Sequence, residues 1–499
     1  MSARAVSALG LVALAATFAA ASAVELPPSD VVALQGVTIV DLANGRLEPG
    51  QTVVWDRSRI VTAGPSASVR VPPDAKLIPG EGRFLMPGLW DMHVHLMFDI
   101  DAPKISEEQV LPLFIANGVT AVRDMSDVDS DDYRRSAIPI KRRWDAEARA
   151  GLRTGPRIVA MGTFAVDGPG SIPQDGSVPR FLGAGTPQDA RKLVRFFVDE
   201  GKADFIKVYS RIPRDSYFAL MDEARRAGIV VAGHKPLAVS YVEAANAGQK
   251  SMEHAREMLL DSFPGAQDLQ RNPAERNLPP QRLEQILEAH DPRMLREIFD
   301  AMVRNGSYYT PTHLTRLFDW KAAARDRQYL EDPRLRLLPR EMREGIQEDV
   351  ARTQKRAPTP ADAEIYRAFF EKGLNLTRQA HAAGVKVMAG TDSGDSYCFF
   401  GSGLHDELEW MAKAGLSPLE VLRAATLVPA QYMERSQDFG AVEAGRIADL
   451  LLLDRNPLED VKNTRAIRMV VFNGRLYDRA ALDGLLAGVE QAAQVKPGK

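Results

Sequence analysis

Two consecutive stretches decide the fold: KLVRFFVDEGKADFIKVYS at 192–210 and SYFALMDEARRAGIVVAGH at 216–234. In each, a helical period gives way to a short apolar run, FIKVY and then IVVAGH. The runs do not alternate polar and apolar residues, as expected of strands covered on both faces. The same alternation of helix and run recurs earlier, in LPLFIANGVTAVRDM at 111–125. Helix followed by buried strand, repeated, predicts βα units and a parallel sheet.

Outward from this middle the pattern changes. VVALQGVTIVDL at 31–42 and QTVVWDRSRIVTAG at 51–64 read as strands separated by an Asn44-Gly45 turn. DLLLLD at 449–454 and RMVVFNGRLY at 468–477 read as strands again. The expected architecture is α/β, a (β/α)8 TIM-like barrel at 86–435 inserted into a small β-sandwich built from 24–85 and 436–499. That barrel is longer than the roughly 250 residues of a plain one. Two charged segments rich in helix formers, 256–300 and 316–372, are read as helical insertions over one face.

The chain has 499 residues, a net charge of −3, 45% hydrophobic and 26% charged residues. This is ordinary globular composition, neither disordered nor basic enough for a nucleic-acid reader. KRRWDAEARA at 141–150 reads as a charged helix face, and GPGSIPQDG at 168–176 as a loop without a phosphate cradle's Lys-Ser/Thr ending. The single cysteine, Cys398, allows no intrachain disulfide. Residues 1–23 have a signal peptide's form: Arg4, an apolar run at 6–20 too short to span a bilayer, then Ala21-Ser22-Ala23. The expectation is cleavage after Ala23 and a periplasmic or secreted protein, free of the membrane once cleaved. Gln491 to Lys499 reads as a polar, frayed end.

DMHVH at 91–95 carries the strongest chemical signal. Alternate side chains of a strand share a face, so His93 and His95 point the same way and can share a cation. Lys207 lies inside FIKVYS, where an ammonium needs a partner or a modification. His234, His254 and Asp392 each end an apolar run. In a parallel barrel such strand ends converge on one face, which makes these six a candidate metal and acid–base site.

These residues sit in pieces that resemble the amidohydrolase superfamily, in its imidazolonepropionase-like and metal-dependent Xaa-Pro dipeptidase (prolidase-like) branch. The pieces are MPGLWDMHVHL (86–96), GVTAVRDM (118–125), FIKVYS (205–210), VVAGHKP (230–236), SMEHA (251–255), AGTDSG (389–394), LSPLEVLRAATLVPAQ (416–431) and FGAVEAGRIADLLLLD (439–454). The resemblance implies a barrel with a flanking β-sandwich. It implies two divalent metal ions, zinc by expectation: one on His93, His95 and Asp392, the other on His234 and His254, with carboxylated Lys207 as bridging ligand. It implies a metal-bridging hydroxide attacking an amide, with Asp392 as general base, in dipeptides or N-acyl amino acids. Superfamily deaminases carry a glutamate three residues after the strand-five histidine. Here that residue is Leu237, which argues against a single-metal deaminase. Lactone or cyclic-amide hydrolysis is the alternative within the class. A non-catalytic binding protein would be expected to lose one or more of the six residues.

Weaker candidates surround this set. Tyr209 shares a strand face with Lys207 and could polarise a substrate carbonyl, or be a core tyrosine. His313 follows YYTPT and could line the pocket. His405, after GSG, could meet a substrate carboxylate or simply start a helix. Arg123-Asp124 reads as a structural ion pair, and His290 and His381 as surface residues. Tyr397, Phe399 and Phe400 could wall the pocket. Cys398 is no nucleophile, having no need of one beside a metal hydroxide. The expected partner is a small-molecule or short-peptide substrate, with no nucleic acid, and a homo-oligomer is left open.

Overall fold

The computed structural model describes residues 31–96, 107–125, 136–168, 181–271 and 278–494. The expected signal peptide and nearly all of the 168–176 loop lie outside them. The first strands are β1 (Val31–Asp41), β2 (Arg46–Asp56), β3 (Arg59–Pro65), β4 (Lys76–Pro79) and β5 (Phe84–Pro87). The middle adds β6 (Leu89–Val94), β7 (Val119–Asp124), β8 (Arg157–Met161), β9 (Ala165–Asp167), β10 (Phe181–Gly183), β11 (Phe205–Val208), β12 (Val230–Gly233), β13 (Ser251–Glu253), β14 (Tyr308–Thr310) and β15 (Lys386–Val387). The last are β16 (Leu450–Leu453), β17 (Ile467–Phe472) and β18 (Arg475–Asp478).

The middle is parallel throughout. β6-β7-β8 form one sheet and β10-β9-β11-β12-β13-β14-β15 another. A parallel bridge from Gly162 to Phe205 joins the two at one edge, and one from Val94 to Ser393 at the other. Every residue of β6, β7 and β11 is buried, which explains why their sequences do not alternate. Helices follow the strands and share one apolar core with them. Both expected insertions are helical. The first spans Arg256–Asp261 to Pro292–Asn305, and the second runs through Arg340–Arg356 into Pro360–Ala382.

The two chain ends meet in one mixed sheet of eight strands, ordered β18-β17-β16-β5-β1-β2-β3 with β4 on β1. The expectation of two packed sheets is corrected in form. Register shifts in β1 between Leu34 and Val37 and between Val37 and Ile39 mark bulges, which bend a strand. The indole N–H of Trp55 on β2 then reaches the carbonyl of Gly474, between β17 and β18, at 3.0 Å. Val32, Leu34, Trp55, Leu450 and Val471 therefore share one small core. β5 pairs with β1 and β16 and crosses the expected boundary at 85/86. The C-terminal part is not all sheet: helix Arg479–Gln494 packs on helix Glu107–Ala116. Ala492 and Ala493 are buried in it, so the expected frayed end is ordered through residue 494.

Two sequence expectations fail in the parallel region. Arg123 and Asp124 do not pair with each other, because neighbours on a strand face opposite sides. Arg123 pairs with Glu253 at 2.9 Å and Asp124 with Lys141 at 2.5 Å. Lys141 and Trp144 are buried, so 141–150 is not simply a solvated face. His290 and His381 are half-buried rather than at the surface, His290 against the Ser262 hydroxyl and His381 beside Glu420.

One buried ion pair joins the terminal sheet to the parallel strands. Arg157, at the start of β8, donates twice to Asp449, at 3.2 and 3.3 Å, and its guanidinium lies over Phe439 and Phe472. Asp449→Ala leaves that guanidinium buried without its counter-charge. It is expected to cost about 3–5 kcal/mol, read as a lowered urea midpoint; an unchanged midpoint would show that the pair does not tie the two parts together.

Candidate metal centre

The six expected residues gather at the C-terminal ends of the parallel strands. His93 is in β6 and His95 follows it. Lys207 is in β11, His234 follows β12 and His254 follows β13. Asp392 lies beyond β15, where its N–H donates to the His93 carbonyl. The turn into His234 requires glycine: Gly233 has φ +127°, and a Cβ there would stand 2.3 Å from the Val208 carbonyl oxygen. His254 and Asp392 themselves adopt left-handed φ, +71° and +64°. Such non-glycine strain concentrates at functional sites.

Asp392 is the hub. Its Oδ1 is 3.0 Å from His95 Nε2 and 3.3 Å from His93 Nε2, and its Oδ2 is 3.7 Å from His254 Nδ1. Lys207 Nζ is 3.5 Å from His93 Nε2. His254 Nε2 and His234 Nε2 face each other at 3.0 Å. Ligand atoms of His93, His254 and Asp392 all lie within 4.8 Å of one another. Tyr209 places its ring 4.0 Å from that of His234, centroid to centroid.

The electrostatics favour a cation. Burial pushes the Lys207 amine down to about 8, against the opposing pull of Glu253 and Asp392. Burial, then Lys207 and Arg256, hold His234 well below its ordinary value. Burial and His234 do the same to His254. Burial alone would raise Asp392, but His93, His95 and His254 outweigh it and keep the carboxylate well below its usual range. The cluster thus offers unprotonated imidazoles and an anionic carboxylate. Two bare Nε2 lone pairs at 3.0 Å repel unless a proton or a metal ion lies between them. The donor set fits a divalent metal: His93, His254 and Asp392 offer ligand atoms within 4.8 Å of one another, with His95, Lys207 and His234 against them. Nitrogen and carboxylate donors of this kind suit zinc.

A second tier of residues, of which the sequence singled out only Arg123, orients the first. Glu253 is fully buried. Its Oε2 lies 3.0 Å from His93 Nδ1, while its Oε1 accepts from Arg123 at 2.9 Å and from Ser251 at 2.5 Å. Arg123 also donates to the Met92 carbonyl and to the hydroxyls of Ser251 and Tyr432. Asp91 accepts from the Thr391 hydroxyl at 2.6 Å and from the amides of His93 and Thr391. Ser210 Oγ is 2.9 Å from His234 Nδ1. The signal for Glu253 was in SMEHA: Ser251 and Glu253 are polar at alternate positions of a buried strand.

Over the cluster, the loop after Asp392 meets the second insertion. Tyr397 stacks on Tyr329 and Phe318, with centroids 4.7 and 5.7 Å apart, and its hydroxyl donates to the Leu330 carbonyl. Ser396 donates to Asp349 at 2.6 Å, and Arg334 lies over Phe399. The expected aromatic wall is therefore packed against the insertion. Cys398 is buried and its thiol pushed well up by burial, so it stays protonated.

The other two expected substrate contacts are both buried. His405 sits inside helix Ser402–Lys413, not at its start, with Nδ1 2.8 Å from Thr464 Oγ1 and Nε2 2.9 Å from the Asn117 carbonyl. Both nitrogens serve packing, on segments that hold none of the clustered residues. His313 is 1% exposed and its Nε2 is 3.1 Å from Thr377 Oγ1. Burial pushes it down to about 3. Its Nδ1 is buried with no hydrogen-bond partner among the described residues.

Among solved structures, the fold is similar to that of bottromycin amidohydrolase (TM-score 0.69, 24% identity, covering 97% of this chain and 95% of that one). It is also similar to a Xaa-Pro dipeptidase with bound methionine (0.64, 19%, 90% and 100%) and a putative prolidase from Bifidobacterium longum (0.61, 24%, 93% and 100%). Curated relatives match only locally. An adenine deaminase of Rubrobacter xylanophilus is 31% identical over 105 residues and adenine deaminase 2 of Rhizobium johnstonii 39% over 79. The chain spans 16% and 12% of their lengths and they match 20% and 16% of it. Residues 84–477, which include every clustered side chain, match the amidohydrolase family profile. The chain belongs to the amidohydrolase family.

Proposed function

We propose that this protein is an exported, binuclear metal-dependent hydrolase of the prolidase-like branch, cleaving an amide bond in dipeptides or N-acyl amino acids. The observation that carries the reading is the convergence of His93, His95, Lys207, His234, His254 and Asp392 at the ends of parallel strands. In this reading those strands close into a (β/α)8 barrel, which the bridges at both sheet edges support. The terminal sheet is a separate flanking domain. The first 23 residues direct export, and the substrate is a small molecule or short peptide that reaches the cluster beneath the aromatic wall.

His93, His95 and Asp392 would hold one cation and His234 and His254 a second, with carboxylated Lys207 shared between them. Bound zinc supplies Lewis-acid polarisation of the amide carbonyl and makes water nucleophilic near neutral pH. The chain's own groups do the rest. Asp392, held anionic, takes a proton from the attacking water and returns it to the leaving nitrogen. Glu253, anchored by Arg123, keeps the proton on His93 Nδ1 and turns Nε2 toward the cluster. Tyr209, beside His234, is placed to donate to the substrate carbonyl. The insertion packed over Tyr397 excludes bulk water, which strengthens each of these interactions. Leu237 is buried and brings no acid to the site, so the local likeness to adenine deaminases does not extend to a proton shuttle at that position.

Three outcomes are expected. In a mass-spectrometric hydrolysis screen of the zinc-loaded protein against dipeptides, N-acyl amino acids, lactones, cyclic amides and adenine, free amino acid should appear and Asp392→Asn should abolish it. Opening of lactones or cyclic amides alone would retain the metal chemistry and change the substrate, whereas ammonia from adenine would replace the reading with a deaminase. Glu253→Gln should weaken zinc binding about 10–100-fold, measured by equilibrium competition with a chelator. Carboxylation needs the neutral amine. With Lys207 at about 8, about a tenth is neutral at pH 7 and most at pH 9. The 13C carbamate signal from labelled bicarbonate should therefore grow with pH over that range and vanish in Lys207→Arg; its absence in the wild type would remove the bridging ligand.

A further inference from the structure

Helix His313–Ala323 starts in an unusual way. Its flanking residue, Thr312, lies in the left-handed region, at φ +43° and ψ +58°. A β-branched residue rarely enters that region. A threonine before a helix ordinarily turns its hydroxyl to a free backbone N–H of the first turn. Thr312 makes no such cap. Its Oγ1 lies 2.7 Å from His254 Nδ1 instead.

The cap is supplied by another helix. Glu407, fully buried in Ser402–Lys413, accepts from the amides of His313 and Leu314 at 2.9 and 3.2 Å. Burial pushes the Glu407 carboxyl up to about 8, and the two amides, at the positive end of the helix dipole, pull it the other way. The backbone is tied at the same point: the His254 amide donates to the Thr310 carbonyl at 2.9 Å and the Ala255 amide to that of Pro311 at 3.0 Å. Thr312 therefore meets the ring, Glu407 holds the start of the helix behind Thr312, and the end of β14 holds the His254 backbone.

We propose that Thr312 is a positioning residue for His254. Its hydroxyl, released from capping by Glu407, accepts the Nδ1 proton and leaves the Nε2 lone pair aimed at His234. A histidine ligand needs its other nitrogen protonated and held in this way. The inference rests on the reading of His234 and His254 as the ligands of the second cation. It makes Thr312 and Glu407, which touch neither a reacting atom nor a cation, determinants of that cation's affinity.

Thr312→Val keeps the shape and removes the hydroxyl; Thr312→Ser keeps the hydroxyl. Zinc bound per chain is measured at graded chelator strength, with thermal unfolding as the control for folding. The wild type and Thr312→Ser should hold two ions. Thr312→Val should hold the first with unchanged affinity and the second about 10–100-fold more weakly. Wild-type affinity for both ions in Thr312→Val overturns the inference and leaves the two-metal reading intact. A wild type that binds no zinc contradicts the two-metal reading. The 15N ring signals of the metal-free protein then decide the inference alone, with the His254 signals assigned by their loss in His254→Asn. A proton on Nδ1 supports it and a proton on Nε2 overturns it. The same spectrum decides should Thr312→Val fail to fold.

Discussion

The site depends on a carboxylate that water cannot reach. Glu253 lies beneath the cluster with one oxygen on His93 and the other on Arg123 and Ser251. Desolvating an anion is costly, and Arg123 offsets that cost while spending its other donors on Met92, Ser251 and Tyr432. A buried pair of this kind adds little stability over an apolar one, but it permits one geometry. That geometry joins β7, β13 and β6, and it decides which nitrogen of His93 faces the cluster.

The same logic extends outward. Successive strand ends deliver the ligand-competent side chains, and three of the histidines have a partner behind them: Glu253 for His93, Ser210 for His234, Thr312 for His254. Backbone strain at His254, Thr312 and Asp392 marks where the chain is bent away from its preferred conformation to bring these groups together. Burial then lowers the basicity of Lys207, His234 and His254 together, which favours neutral imidazoles beside the Asp392 and Glu253 carboxylates. The second insertion stacks on Tyr397, five residues after Asp392, through Tyr329 and Phe318.

Much of this was legible in the sequence because strand ends carry recognisable residues. His93 and His95 at alternate positions, Lys207 inside an apolar run, and His234, His254 and Asp392 closing such runs could be read without coordinates. The supporting tier was harder. Arg123 and Asp124 are adjacent in sequence, and adjacency suggested a pair that the pleat forbids. Their true partners are 130 and 17 residues away, brought close only by folding. His405 looked like a helix start, but nothing local says which face of that helix turns toward Thr464. The terminal sheet was legible strand by strand, and the bulge in β1 between Leu34 and Val37 also has its mark, Gly36 at φ +74° inside the strand. Thr312 reads as an ordinary helix cap until Glu407, far along the chain, is seen to take that role.

The central claim is that six side chains hold two cations with a modified lysine between them. Anomalous diffraction at the zinc edge from crystals of the zinc-loaded protein tests it most directly. Two separate peaks are predicted, one among His93, His95 and Asp392 and one between His234 and His254, with density extending from Lys207 Nζ toward both. A single peak, or a bare Lys207 ammonium beside Glu253 and Asp392, would contradict the account.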